Sequence, residues 1–485
     1  MMLIKQRLKC PIWKIPYFFI LSFRVFIKIA RTGIFKKFSD TLIFPKKINL
    51  ILKFINYIFC KRDKVNIGYN LLNCLISLGP GYIKFGQALS TRPDLLGQKT
   101  CEYLQKLQDD IKPFPGSVAK KIFEHEIERP IEKIFRNFNE IPIATASVAQ
   151  VHLGTLENGN KVAIKLLKPN IEKLLFKDFM FFYWISRCFE FFIPKVKRLK
   201  LSKNVEVLSE ISLNELDLTM EASAADELAE NFKDHSKYRV PKIYWELTTK
   251  KVLVLEYIEG IKINDLSKLE RDNHNINKIT EIGTEVFFLQ VFRDGFFHGD
   301  MHPGNIFIDK KGMLVPIDFG IMGRLSNKDR QFLAQLLTYL LNKNYKKVVE
   351  IHSEANMLGK DVSHDHLAQA IRAISTPILN KPIGQISLAK LLGQILGLSK
   401  EFNIEVQPQF TLLQKTMLMA EGTTRQINPN INMWELSGPL IDKWISESHD
   451  PFKTLEDWVH KNKILLLKIP EIMHKIDKLI TNKMK

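Results

Sequence analysis

A chain of 485 residues with 45% hydrophobic and 25% charged residues has the composition of a folded protein, which excludes wholesale disorder. Its length predicts two or three domains. Its five cysteines are scattered and form no CxxC pair. That distribution argues against a zinc site or a disulfide framework and favours a reducing compartment.

The net charge of +19 is concentrated at the two ends of the chain. Residues 1–64 hold 15 Lys or Arg against 2 acids, and residues 459–485 hold 7 Lys against 2 acids, so the middle is nearly neutral. Basic ends suit nucleic acid or an anionic membrane. Between Trp13 and Phe38 the cations interrupt aromatic and aliphatic runs, which favours anionic membrane lipid over nucleic acid. A basic helix that packs on the protein itself is the alternative.

No segment of the sequence predicts a transmembrane helix. The apolar run Ile15–Phe23 is far shorter than the roughly 20 residues that a bilayer requires, and the N-terminus lacks the pattern of a cleaved signal. Within 446–485 an apolar stripe among lysines predicts an interfacial helix kinked at Pro470. We therefore expect surface attachment to the cytoplasmic face of the cell membrane.

The first helical region is predicted from about residue 65 to 112, with a break at Gly79-Pro80-Gly81. In the helix after this break, Lys84 and Gln87 are three residues apart and project from one face. The pattern by itself indicates an ordinary surface helix.

A β-hairpin with an Asn158-Gly159 turn is predicted next, and its second strand ends in Val-Ala-Ile-Lys165. In kinases the lysine of such a strand contacts the α- and β-phosphates. The first strand then carries the loop that covers the phosphates, but no GxGxxG is present. Small residues take the place of its glycines, and we expect a stiffer loop that binds nucleotide through Ala144, Thr145, Ala146, Ser147, Val148, Ala149, Gln150 and Val151.

A lysine near phosphates needs an acidic partner, and the stretch Glu210–Ala222 reads as one helix that offers several acids. Asp217 and Glu221 are four residues apart and share a face of the helix, whereas Glu215 points in a different direction. The alternative is an acidic face that is merely solvated. A helical insertion at about 170–205 separates this helix from the lysine strand. Val240–Trp245 and Val252–Gly260 read as strands, and the second delivers Glu256 and Ile258 to a hinge whose backbone binds adenine.

After a predicted amphipathic helix at Ile276–Phe297, three polar residues stand at the spacing of a phosphoryl-transfer site. Asp300 is placed to orient an attacking hydroxyl, while Asn305 and Asp318 are placed to hold metal ions. A turn at 309–312 predicts a hairpin that brings Asn305 and Asp318 face to face. The alternative is an ordinary hairpin with surface acids.

Two features argue against an ordinary protein kinase. Gly299 stands where protein kinases carry the arginine of His-Arg-Asp, and no long activation segment with an Ala-Pro-Glu anchor follows Gly320. The platform for a peptide substrate is therefore missing from the sequence.

Together these motifs resemble the UbiB branch of the ADCK/UbiB atypical kinase-like family over residues 65 to 445. The matching stretches are KxGQ at Lys84-Phe85-Gly86-Gln87, the alanine-rich loop from Ala144, Lys165, ExD at Glu215-Leu216-Asp217, the helix-C type glutamate Glu221 that orients Lys165 in the family, Asp300, Asn305, Asp318 and the stretch Glu405–Gln409. The resemblance implies an α+β, two-lobed protein-kinase-like fold with a small β-rich N-lobe and a helical C-lobe. The expected segments are 1–64 (membrane-associating), 65–140 (KxGQ extension), 141–260 (N-lobe), 261–445 (C-lobe) and 446–485 (C-terminal helix).

The resemblance also implies a role for each motif. Lys84 and Gln87 fold over the active site, where Lys84 meets the ExD acids and blocks the place of a protein substrate. The implied cofactors are ATP or ADP with Mg²⁺, and the implied role is in ubiquinone biosynthesis. Polyprenylphenol precursors and biosynthetic enzymes are then partners, and a homodimer is one open arrangement. Family members commonly end in two transmembrane helices, which this sequence does not show before Lys485.

Three functions remain open at this point. The first is a kinase-like ATPase at the membrane surface, and the second is a kinase that phosphorylates a lipid-like hydroxyl. The third is a non-catalytic, nucleotide-gated, chaperone-like protein that binds lipid, which the 33 phenylalanines favour.

Overall fold

The described residues of the protein, seen in a computed structural model, are 11–34, 66–90, 96–108, 113–193, 200–359, 362–380, 387–399 and 406–429, with isolated residues between 8 and 57 and between 401 and 436. The chain divides into two compact units. Unit 1 comprises Met1–Glu227 and Pro241–Tyr257, and unit 2 comprises Leu228–Val240 and Ile258–Lys485. The predicted C-terminal helix within 446–485 lies outside the described residues, as do residues 35–38 of the N-terminal stretch.

Unit 1 begins with helices, as the sequence predicts. The break at Gly79 is confirmed, because its backbone lies at φ 124°, a conformation that favours glycine, and separates two helices. The helices are α1 (Ile15–Ala30), α2 (Ile67–Leu78), α3 (Pro80–Ser90), α4 (Gln98–Gln105) and α5 (Gly116–Ile127).

One antiparallel sheet forms the centre of unit 1, with strand order β1-β3-β4-β5 and the short β2 paired to β3. The predicted hairpin is confirmed: β3 and β4 pair from Ala149 opposite Leu167 to Thr155 opposite Lys161. One face of the sheet is buried against α5 through Ala119 and Phe123. The strands are β1 (Phe135–Phe138), β2 (Ala144–Thr145), β3 (Ala149–Leu156), β4 (Lys161–Leu167) and β5 (Val252–Glu256).

The insertion after β4 is helical, as predicted, and consists of α6 (Ile171–Phe192) and α7 (Leu201–Asn214). The single helix predicted at Glu210–Ala222 is wrong. The helix α7 ends at Asn214 and α8 (Leu218–Asn231) begins after Asp217, which accepts a hydrogen bond from the Thr219 N–H at 3.2 Å. A short polar side chain that binds a free N–H of the first turn favours a new helix start over continuation.

Two further predictions in the middle of the chain need correction. Val240–Trp245 does not form a strand, although Ile243 makes one isolated β-bridge to Leu255. The helix predicted at Ile276–Phe297 ends at Phe288 and is followed by a π-helical turn, Leu289–Asp294. Gly295, at φ 64°, then ends the turn, and its ideal Cβ would lie 2.4 Å from the Leu325 carbonyl oxygen. A larger residue therefore does not fit there.

Unit 2 holds two small antiparallel sheets, β6-β8-β9 and β10-β7, beside a helical core. The strands are β6 (Gly260–Lys262), β7 (Phe296–His298), β8 (Ile306–Asp309), β9 (Leu314–Pro316) and β10 (Met322–Arg324). The helices are α9 (Leu266–Arg271), α10 (Ile276–Phe288), α11 (Asn327–Leu341), α12 (Tyr345–Glu354), α13 (His364–Leu379), α14 (Leu388–Leu398) and α15 (Pro408–Ile427). The α+β class is confirmed, while the boundaries of the five predicted segments stay a prediction.

Candidate active site

The lysine of the Val-Ala-Ile-Lys strand is held by a carboxylate of α8. The ammonium of Lys165 donates to both carboxylate oxygens of Glu221, at 2.7 and 2.8 Å. The two side chains are 17% and 8% exposed, so the pair is screened little by solvent. In β4, Lys165 stands between Val151 of β3 and Leu253 of β5. Pairing on both edges fixes the backbone from which the ammonium projects.

The alanine-rich loop is a tight turn between β2 and β3. The Ala146 N–H donates to the Ala149 carbonyl at 2.8 Å, and Ala144 and Thr145 pair with Val151 and Gln150. Residues 144–149 all have negative φ, so this turn does not use the conformational freedom of glycine. Ser147, Val148 and Ala149 are buried, whereas Ala144 is exposed. That this loop is stiffer than a glycine-rich one stays a prediction.

The side chain of Gln150 has a structural task beside this loop. Its amide accepts from the Phe114 N–H at 3.0 Å and donates to the Phe114 carbonyl at 3.2 Å. It also lies 2.7 Å from His152, whose other ring nitrogen contacts the Asn139 carbonyl at 2.8 Å. Gln150 is fully buried, and burial lowers the pKa of His152, which favours the neutral ring. This network ties β3 to the segment before α5.

The predicted hinge residues lie at the end of β5. Glu256 pairs with Val162, and its backbone N–H donates to the Lys242 carbonyl at 2.8 Å. The Glu256 carboxylate accepts from the Lys242 N–H at 3.2 Å, while Ile258 is buried. Backbone groups just beyond a strand end are suited to edge recognition of a planar base.

In unit 2, Asp300 and Asn305 belong to one loop between β7 and β8. The Asn305 amide donates to the Asp300 carboxylate at 3.3 Å. The Asn305 carbonyl accepts from the Ile317 N–H at 3.0 Å, which places Asn305 beside the residue before Asp318. The predicted hairpin of β8 and β9 is confirmed, since Ile306 stands opposite Pro316.

Sequence reasoning missed the part that His298 plays between these groups. Its Nδ1 accepts from the Asp300 N–H at 3.1 Å, and its Nε2 contacts the Asp318 carbonyl oxygen. An accepting Nδ1 requires the neutral ring with hydrogen on Nε2. Burial lowers the pKa of His298 despite the nearby Asp318 and Asp300 carboxylates, in agreement with that assignment. One imidazole thus links the backbones that carry both aspartates.

Two more buried side chains brace this loop. In the π-helical turn, Gln290 accepts from the His298 N–H at 2.9 Å and donates to the Tyr238 hydroxyl at 3.3 Å. The Thr416 hydroxyl of α15 lies 3.2 Å from the Gly299 carbonyl. An ideal Cβ at position 299 would lie 2.8 Å from Ile321 Cγ2, so a larger residue does not fit without movement. No sequence pattern marks Gln290 or Thr416, because their partners are distant along the chain.

The KxGQ and ExD residues meet within unit 1. The Lys84 ammonium donates to the Glu215 carboxylate at the end of α7, and the side chains are 11% and 20% exposed. The Gln87 amide donates to the Leu107 carbonyl at 3.2 Å. Asp217 contacts Thr219 and, at 3.8 Å, the exposed Lys250. Glu215 is therefore the ExD acid that pairs with Lys84.

The donor set at Asn305 and Asp318 is made of oxygen ligands, with one carboxylate and one amide carbonyl. Mg²⁺ prefers such ligands and usually completes its shell with phosphate oxygens and water. Across the described residues, no group of three or more His, Cys, Asp or Glu could hold a metal by itself. The oxygen donors of Asn305 and Asp318 are of the type that a magnesium ion prefers.

The chain matches two family models in succession. Residues 106–352 match the ABC1 atypical kinase-like domain, and residues 371–432 match the UbiB helical domain. Two similar curated proteins are each named "Probable protein kinase UbiB". The Erwinia tasmaniensis protein is 39% identical over 80% of this chain and 72% of its own length. The Pseudomonas aeruginosa protein is 35% identical over 90% of this chain and 84% of its own length.

A solved structure is also similar. The complex of Rv3197 with erythromycin from Mycobacterium tuberculosis aligns with a TM-score of 0.46 and 23% identity, over 81% of this chain and 96% of that chain.

Proposed function

Because this chain belongs to the UbiB family of ABC1 atypical kinase-like proteins, we propose that it is a kinase-like ATPase that supports ubiquinone biosynthesis at the cytoplasmic face of the membrane. The observation that carries the proposal is the bidentate Lys165–Glu221 pair in a chain that also holds Asp300, Asn305 and Asp318 at kinase spacing. We propose Mg-ATP or Mg-ADP as the ligand.

Each residue has a task in this proposal. Lys165, oriented by Glu221, binds the α- and β-phosphates, and the turn Ala144–Ala149 covers them. The backbone at Glu256 and Ile258 binds the adenine edge. Asn305 and Asp318 supply oxygen ligands to magnesium, which neutralises phosphate charge when it is bound. Asp300 orients the attacking water or hydroxyl, and neutral His298 keeps the two aspartate backbones at a fixed separation.

The segment after Asp318 supports a small nucleophile rather than a peptide. The strand β10 begins at Met322, where it pairs with His298, and α11 begins at Asn327. This leaves no long segment on which a protein substrate is aligned in ordinary kinases. The proposed acceptor is therefore water, and a hydroxyl of a polyprenylphenol precursor is the second candidate.

The helix α1 supports attachment to a membrane surface. One side of it is buried through Phe18 and Val25, and Phe18 contacts Phe181 and Trp184 of α6. The other side exposes Phe19, Ile20 and Phe23, and Trp13 is exposed in the turn before the helix, in a region that also holds cations. Among the described residues, no helix has the length and apolar character to span a bilayer. The buried side of α1 agrees with packing on the protein itself, and the exposed apolar side supports the proposed lipid contact.

Release of phosphate from Mg-ATP tests the proposal, with anionic liposomes and with or without a phenolic precursor mimic. We expect lipid-stimulated release that Asp318→Asn lowers by at least about 100-fold, since a ligand to the phosphate charge is lost. The exposed Asp272→Asn serves as the matched control. Detection of a phosphorylated phenol would identify a lipid kinase instead of an ATPase. Tight nucleotide binding without turnover under all conditions would leave only the lipid-binding chaperone as the function.

The lipid contact has its own test in liposome flotation. Ile20→Ser combined with Phe23→Ser is expected to weaken binding by about tenfold, because apolar area that enters the interface is lost. Added salt should weaken the binding of both proteins. If the double variant floats with liposomes as well as the wild type does, α1 is not the membrane contact.

A further inference from the structure

The insertion helix α6 has two stripes that contact different elements of unit 1. One stripe faces α1: Lys177 lies 5.2 Å from the Tyr17 ring, and Phe181 and Trp184 contact Phe18. The second stripe is one residue further along and faces α3, the helix that carries the KxGQ motif. Its members are Asp178 and Phe182, which are four apart and so share a face of the helix.

Aromatic packing joins Phe182 to the KxGQ helix. The Tyr82 ring packs edge-on against Phe182 at 4.8 Å, and Phe85 lies 5.5 Å from the same ring. Tyr82 is buried, and its hydroxyl has no hydrogen-bond partner among the described residues. This contact brings the two helices together but fixes neither the register nor the direction of α3.

A polar contact one turn earlier supplies that direction. The Asp178 carboxylate accepts from the Gly81 N–H at 3.1 Å. Gly81 lies in the first turn of α3, where N–H groups have no partner within the helix, and Pro80 before it has no N–H to offer. An acidic group at this end also interacts favourably with the helix dipole. Asp178 thus supplies to α3 the cap that its own sequence lacks.

Gly81 is the residue that permits this approach. An ideal Cβ at position 81 would lie 2.4 Å from Asp178 Cβ, a distance that carbon atoms do not adopt without displacement. The carboxylate is held at this site although burial raises the pKa of Asp178 to about 6, against the opposing charge of Lys177 and the hydrogen bond from Gly81. A partly buried acid retained at an electrostatic cost indicates a positional role.

The second polar contact of α3 reaches the other helix of the insertion. Lys84, one turn after Gly81, pairs with Glu215 at the end of α7. The helices α6 and α7 are themselves joined, since Glu190 accepts from the Ser202 N–H at 2.9 Å and contacts its hydroxyl. The KxGQ helix therefore rests on the two insertion helices through two carboxylates, Asp178 and Glu215.

We propose that Asp178 is a positioning residue that fixes the first turn of the KxGQ helix, so that Lys84 reaches Glu215, and that the insertion α6–α7 is the platform on which this helix is held. The expected effect on nucleotide turnover rests on the proposed function. The placement of α3 itself does not, so the two are tested by different measurements.

Hydrogen–deuterium exchange of the peptide covering residues 80–90 tests the placement. Asp178→Ala and Gly81→Ala are expected to speed its exchange by about tenfold or more, as loss of a hydrogen bond to a charged group predicts. Asp178→Asn retains an acceptor oxygen and should remain near the wild-type rate. The exposed Glu172→Gln on the same helix is the matched control. Exchange that is unchanged in Asp178→Ala, or faster to the same extent throughout β3 and β4, would overturn the proposal.

Phosphate release then tests the consequence. Asp178→Ala should change the rate in the same direction as Lys84→Ala, and the double variant should show no further change, because both act through the position of α3. Additive effects of the two substitutions would overturn the link to Lys84. If the wild-type protein releases no phosphate under any condition, the proposed function fails, while the exchange experiment still decides the role of Asp178.

Discussion

Two buried lysine–glutamate pairs in unit 1 differ in how they are held. Lys165 lies in a strand with neighbours on both edges, and both oxygens of Glu221 accept from it. Lys84 lies in the eleven-residue helix α3 and meets one carboxylate oxygen of Glu215. The sheet fixes the first lysine, whereas side-chain contacts alone fix the second. We therefore expect the two side chains of the first pair to be coupled more strongly than those of the second.

The largest effect that separates the pairs is expected on turnover. Lys165→Ala should lower phosphate release by about 100-fold to 1,000-fold, because a charged donor to the phosphates is lost. Lys84→Ala should still release phosphate, at a rate that differs from the wild type but without the loss expected for Lys165→Ala. The reason is that Lys84 acts through the placement of α3. Phosphate release under saturating Mg-ATP measures both, with the exposed Lys173→Ala as control. Equal loss of activity in the two variants would show that the two lysines do not differ in their role in turnover.

A smaller difference is expected in stability. Removing either lysine leaves a largely buried glutamate without its ionic partner, at a cost of about 1.5–3 kcal/mol in the free energy of unfolding. Urea unfolding of Lys84→Ala, Glu215→Gln and their combination gives the coupling energy of the second pair. The same cycle with Lys165 and Glu221 is expected to give a larger coupling, because that contact is bidentate. A larger coupling in the Lys84 cycle would contradict the comparison.

The smallest effect is a pH dependence centred on Asp178. Burial raises the pKa of Asp178 from 3.8 to about 6, so the folded protein binds this proton more tightly than the unfolded chain. The resulting stability is complete below about pH 4 and is lost as pH rises through about 6. The facing groups are Lys177 on α6 and Tyr82 on α3, and burial raises the pKa of Tyr82, so its hydroxyl stays neutral in this range.

Thermal unfolding measures this dependence. Between pH 4.5 and 7.5, Asp178→Asn should lose about 1–3 kcal/mol less stability than the wild type, because asparagine does not titrate. Glu172→Gln, on the exposed side of α6, should follow the wild-type curve. Parallel curves for Asp178→Asn and the wild type would show that the carboxylate does not titrate in this window.

The parts of the fold that the sequence predicted are those set by local chemistry. The Asn158-Gly159 turn, the break at Gly79 and the hairpin that follows Asn305 each depend on residues a few positions apart, and each is confirmed. The error at Glu210–Ala222 arose where two local signals competed. This stretch reads as one helix, but Asp217 accepts from the Thr219 N–H, starts a second helix and leaves Glu215 at the end of the first.

Motif spacing also nominated the candidate residues of the site, although no pattern could rank the acids that might pair with a lysine. Glu215, Asp217 and Glu221 stand within seven positions in the sequence. The family resemblance implies Glu221 for Lys165 and the ExD acids for Lys84, and the fold shows that Glu215 is the ExD acid that meets Lys84. His298, Gln290 and Thr416 were missed as supports because their partners are backbone groups, which carry no sequence signature.

By itself the sequence determined the family, the α+β class and the candidate residues that stand at the spacing of a phosphoryl-transfer site, since these depend on residue type and short spacing. The tertiary structure alone decided which ExD acid meets Lys84 and what holds the KxGQ helix. Asp178 and Gly81 are 97 positions apart, and their contact requires a glycine because two helices approach too closely for a Cβ. Such contacts follow from packing between distant segments, which residue order does not encode locally.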